Sequence, residues 1–142
     1  MSYVIEGIFK DIAKDTPKSY KDILKDVKAK IERKYPKVDL VFASRGREML
    51  PIISVCLVSA PWEPFQEEGY MERKGLKSKM VSPGNYDFSR EAMKFFNHLE
   101  DLFRAHHRIY REKSAIDSFT VHYYIGNPGV GKKKPQPFTL KK

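Results

Sequence analysis

The sequence predicts an α+β fold: one sheet of three to five mainly antiparallel strands, an N-terminal helix pair, one long crossing helix and a basic C-terminal tail. Three observations carry this reading. Residues 49–60 are almost continuously apolar and β-branched, the signature of a central strand buried on both faces. Residues 89–112 present a wide apolar helical face. Residues 116–125 end in an alternation of apolar and polar side chains, the pattern of a strand with one face on a core. The boundaries follow: residues 1–126 form one α+β domain, and residues 127–142 a Pro/Lys-rich basic tail.

Taken in order, Val4, Ile5, Ile8, Phe9 and Ile12 share one helical stripe over residues 2–14, which Thr16-Pro17 ends. Ser19 opens a second helix, with Asp22 completing a pattern close to a capping box. Tyr20, Ile23, Leu24, Val27, Ile31 and Tyr35 line its apolar face, and Pro36 stops it. Residues 38–43 read as a short strand and 44–48 as a turn, so 38–43 and 49–60 suit a hairpin. Residues 61–87 are punctuated by Pro61, Pro64, Gly69, Gly75, Pro83 and Gly84. A connection of that length contains a missed element or binds something. Within it, Tyr70-Met71 and residues 76–81 are candidate edge strands. Asp87 or Ser89 caps the long helix. In the last strand Phe119, Val121, Tyr123 and Ile125 face one side, and Thr120, His122 and Tyr124 the other.

The formal charge is +9, which favours a polyanionic partner or an acidic protein face. It is unevenly placed, because residues 126–142 hold five Lys and no acid. The single Cys56 lies in an apolar run and reads as a buried, inert thiol. The lack of a disulfide suits a reducing compartment. Glu6 and Lys10 interrupt the N-terminal apolar residues, so no secretory signal is expected. No run reaches the roughly 18 apolar residues that span a bilayer. The expected location is the cytoplasm or a virion, with no membrane partner.

Gly126-Asn127-Pro128-Gly129-Val130-Gly131-Lys132 fits the G-x-x-x-x-G-K core of a phosphate-binding loop. Lys133 stands where the magnesium-ligating Ser/Thr belongs, and Pro135 and Pro137 prevent the helix whose N-terminus would hold phosphate. The segment therefore reads as a flexible basic tail. His98, His106, His107 and His122 form no i,i+4 pair, so no zinc site is expected. Asp39 on the first strand and Glu72-Arg73-Lys74 beyond it, with Glu32 on a helix, match loosely the acidic and E-x-K positions of a magnesium nuclease. Residues 70–75 are too polar for the core strand that such a nuclease needs. The sequence thus assigns no catalytic residue, cofactor or metal.

Two sets of binding candidates remain. For a protein partner they are the aromatic Trp62 and Phe65 in the long loop, with Lys132, Lys133, Lys134, Phe138 and Leu140 in the tail. Phe138 and Leu140 favour a protein surface, since a purely electrostatic arm needs no apolar anchors. For nucleic acid they are Arg45 and Arg47 in the first turn and Arg104, Arg108 and Arg111 on the long helix, with the tail lysines.

The order of elements resembles that of the tail-terminator and neck proteins that connect head and tail in tailed bacteriophages. The residues that carry the resemblance are the helix over 19–34, the P-x-x-x-V strand over 51–59, the crossing helix over 89–112 and the strand over 119–125. The resemblance implies a ring-forming structural subunit without catalysis, a homo-oligomer whose long loop and chain ends make the contacts. It supplies no motif from which a functional residue carries over.

Overall fold

The computed structural model describes residues 20–45, 52–113 and 119–141. The helix expected over residues 2–14, and most of the turn expected over 44–48, lie outside these. At the centre is β2 (Ile52–Ala60), nine residues without a charge and buried from Ile53 onward on both faces. β1 (Asp39–Arg45) pairs with it antiparallel, from Asp39 opposite Ser59 to Arg45 opposite Ile52, as the hairpin reading expects. β4 (Thr120–Ile125) lies on the other side of β2 and runs parallel to it. β3 (Lys79–Val81) pairs antiparallel with β4, giving the order β1-β2-β4-β3. β5 (Thr139–Leu140) pairs parallel with the last two residues of β2. Antiparallel pairs thus frame the sheet, and a parallel pair sits at its centre.

Two helices cover one face. α1 (Tyr20–Lys34) buries Ile23, Val27 and Ile31, the stripe that its three- and four-residue spacing predicts. α3 (Arg90–Lys113) buries Ala92, Phe95, Phe96, Leu99 and Phe103 against Ile53, Val55, Leu57, Tyr123 and Ile125 of the sheet. Ser89 caps it: its hydroxyl accepts from the Ala92 N–H at 3.1 Å. The aromatic centre is tightly packed, with Phe88 stacked on Phe96 at 4.9 Å and Tyr123 edge-on to Phe96 at 5.8 Å. α3 starts at the C-terminal end of β2 and returns the chain to its other end, which is why β4 must run parallel. At the edge of this core Asp26 accepts from His106 at 2.5 Å and pairs with Lys30 at 3.0 Å. Burial pushes the Asp26 carboxyl up, but the bonds from Lys30 and His106 outweigh it and hold the group below its ordinary range.

The long connection contains one strand and one helical turn. β3 falls within the predicted 76–81 segment. Tyr70-Met71, expected as a strand, instead opens α2 (Tyr70–Arg73). Gly69 enters that turn in the left-handed region at φ 71°, and Arg73 N–H bonds back to Gly69 C=O at 3.0 Å. Met71 is buried, so the turn acts as a plug over the core. Among the described residues no helix is long and apolar enough to cross a membrane.

Candidate protein-interaction groove

Beyond β4 the chain makes an excursion and returns to β2. Gly126 N–H bonds to Leu57 C=O at 2.8 Å, continuing the β4 ladder. Gly126 has φ 77°, and a Cβ there would lie 2.3 Å from the Lys77 carbonyl oxygen, so only glycine fits. Asn127 and Gln136 then exchange both main-chain bonds, at 2.7 and 2.8 Å, and close the loop between them. The buried Asn127 Oδ1 accepts from the N–H groups of Gly129 and Val130, each at 2.8 Å. This takes up two amides that a phosphate-binding loop would point at its ligand. Gly131 breaks the helical turn at φ 69°, and Lys133 is already extended at φ −92°, ψ 155°. The glycine-rich motif is a turn held by its own asparagine.

After the loop, Phe138 packs on the main core, and Thr139 and Leu140 pair with Ser59 and Ala60. β1 occupies the far edge of β2 at Ser59, so β5 lies on the β4 side and extends that ladder. Lys141 N–H donates to Ala60 C=O at 2.8 Å. Its ammonium meets Asp39 at 2.9 Å, and Asp39 also accepts from the Ser59 hydroxyl at 2.7 Å. The bonds from Lys141 and Ser59 hold the Asp39 carboxyl below its ordinary range. The segment read as a flexible tail is thus tied into sheet and core. Two apolar residues and a sheet edge achieve this, and local lysine content does not reveal it.

Between β5 and α2 runs a groove of about 410 Å³. Phe138, Thr139 and Leu140 form one wall, with Glu68, Tyr70 and Glu72 opposite. Phe65 lies at its floor, 2% exposed, 4.5 Å from the Tyr70 ring and 5.9 Å from Phe88. The loop that carries Glu63 and Phe65 is pinned at two points. The Ser89 hydroxyl donates to Glu63 C=O at 2.5 Å, and Gln66 N–H bonds to Asp87 C=O at 2.8 Å. Alternation along β5 turns the main-chain N–H and C=O of Leu140 away from β2. No strand pairs that outer edge among the described residues.

The electrostatics run against the chain's net charge. Residues 61–72 contain four Glu and no Lys or Arg, in a protein of net charge +9. Glu67 pairs with Arg73 at 2.6 Å, whereas Glu63, Glu68 and Glu72 have no ion pair among the described residues. Among the described residues no cation lines the groove. Lys74 sits over the Tyr70 ring at 5.7 Å, and Lys141 is directed to Asp39.

The structure therefore brings together Phe65, Phe138 and Leu140 from the predicted set. Trp62 is elsewhere, half-buried at 5.7 Å from Phe95 as a lid on the core. Lys133 and Lys134 are exposed on the loop, and Lys132 ends its 3-10 turn. Arg104 pairs with Glu100, while Arg47 and the side chains of Arg45, Arg108 and Arg111 lie outside the described residues. Glu63, Glu68, Glu72 and Tyr70 were not anticipated as partner-binding residues. Their signal was the cation-free run of glutamates in a basic chain.

The nuclease constellation does not assemble as its sequence pattern requires. Glu72 and Arg73 lie in α2 and Lys74 caps it, so the E-x-K is on a helical turn and not on a core strand. Among the described residues no group of three His, Cys, Asp or Glu is placed to hold a metal ion. Cys56 is fully buried, and burial pushes its thiol up to about 12. Compared with protein-family models, curated proteins and solved structures, the chain finds no match.

Proposed function

We propose that the chain is a non-enzymatic structural subunit of a multi-protein assembly, joined to its neighbours at the groove between α2 and β5. The supporting observation is an open strand edge beside a preformed aromatic groove with uncompensated carboxylates. Such an edge gains main-chain hydrogen bonds from an extended segment, and the groove selects that segment's side chains. The element order that resembles phage tail-terminator and neck proteins makes a ring the proposed form of the assembly.

Light scattering coupled to size exclusion tests this on the full chain, across protein concentration and at low and high salt. A discrete oligomer larger than the monomer is the expected result. A monomer at every concentration overturns the reading. A monomer that co-elutes with nucleic acid only at low salt moves the assignment to nucleic-acid binding through Lys133, Lys134 and the arginines.

A further inference from the structure

We propose that the groove receives the exposed Lys133–Lys134–Pro135 segment of a second copy, so that neighbouring copies join through two different surfaces. This rests on the assembly reading and names the partner and the residues at its interface. The groove asks for an occupant with three properties. Its Glu68 and Glu72 are exposed and have no ion pair among the described residues, so they call for cations. Its aromatic floor of Phe65 and Tyr70 suits a flat, rigid apolar group. The outward Leu140 N–H needs a carbonyl acceptor.

The loop after the 3-10 turn supplies all three. Lys133 and Lys134 are exposed and lack an ion pair among the described residues. Pro135 and Pro137 are exposed too. A proline biases the residue before it toward extended backbone, so Lys134 and Gln136 inherit that preference, and Lys133 already has it. Extended proline-containing segments dock in aromatic-lined grooves because little order is lost on binding, and they accept hydrogen bonds through their carbonyls.

One copy does not satisfy its own groove. Lys133, Lys134 and Pro135 do not line the groove, and Gln136, tied to Asn127 by main-chain bonds of 2.7 and 2.8 Å, anchors the segment outside it. Because groove and segment are different patches, the contact is heterologous, and repeated copies close into a ring or extend as a chain.

Charge reversal tests it. One variant carries Glu68→Lys and Glu72→Lys, the other Lys133→Glu and Lys134→Glu. All four sites are exposed, and circular dichroism checks that each variant folds. Each variant alone should dissociate, with association weakened tenfold or more. Mixed one to one, they should re-associate, because each reversed groove then meets a reversed segment. A synthetic peptide of residues 131–138 should also bind the wild-type chain and lose about tenfold with the Glu68→Lys, Glu72→Lys variant. An oligomer unchanged in both variants overturns the groove assignment and leaves the assembly reading standing. Dissociated variants that stay apart on mixing also overturn it. A wild-type chain that is monomeric throughout overturns the assembly reading itself.

Discussion

Gly126, Asn127 and Cys56 show how single residues set the end of the sheet. Gly126 is the only residue type that passes the Lys77 carbonyl at φ 77°. Asn127, fully buried, satisfies two loop amides and lies 3.8 Å from the Cys56 sulfur. A side chain at Gly126 would meet backbone, which has no rotamer to give. Gly126→Ala is therefore expected to destabilise the protein by more than about 1 kcal/mol, read as a lower urea midpoint. An unchanged midpoint would mean that the β4-to-loop junction relaxes freely. The cysteine was legible as inert, because an apolar run around a lone thiol already implies burial. The asparagine was not, since its role depends on amides that only the folded turn brings to it.

At the level of elements, α1, α3 and β4 were legible because each carries its own period, and β1 and β2 because each is a short, continuous apolar run. A helix stripe at 3.6 residues and a strand at two are imposed by burial on one face, and burial leaves that mark in the sequence. α2 and β5 carry no such mark. Four and two residues are too short for any period, and their neighbours hold them in place. Just after β5, Lys141 pairs with Asp39, and this gives a pH window. The Asp39 carboxyl is depressed in the fold, so its contribution is present above the ordinary value of 3.8 and fades as pH falls through the folded value. Asp39→Asn should cost less than about 1 kcal/mol at neutral pH, because the pair is exposed. The variant should also show a shallower loss of thermal midpoint than the wild type between about pH 4 and pH 2. Equal slopes would show that the pair does not couple to folding.

For the whole molecule, one hydrophobic core joins both long helices to the sheet, with Phe96 touching Phe88 in the connection before α3, Phe95 in α3 and Tyr123 in β4. Phe96→Ala should cost about 3–5 kcal/mol. Native stability is only about 5–15 kcal/mol, so that loss is severe. The near- and far-UV circular dichroism transitions should shift together, since sheet and helices share that core. Separate transitions would show that the helices and the sheet melt as independent units. Charge divides the surface in the same way that packing unites the interior. Glu63, Glu68 and Glu72 line the groove, and the exposed Lys133 and Lys134 lie outside its lining.

By itself the sequence determined the two long helices and the strands β1, β2 and β4, which of their faces are apolar, that Cys56 is buried, and that the phosphate-loop motif lacks its helix. All of these are consequences of local spacing and residue type. Only the tertiary structure decided that β4 runs parallel to β2, that the supposed tail returns as β5, and that Phe65, Leu140 and three glutamates share one groove. These depend on residues far apart in the chain meeting along the β2 edge. Such pairings are selected by the free energy of the packed core and the main-chain ladder, and no local pattern encodes them.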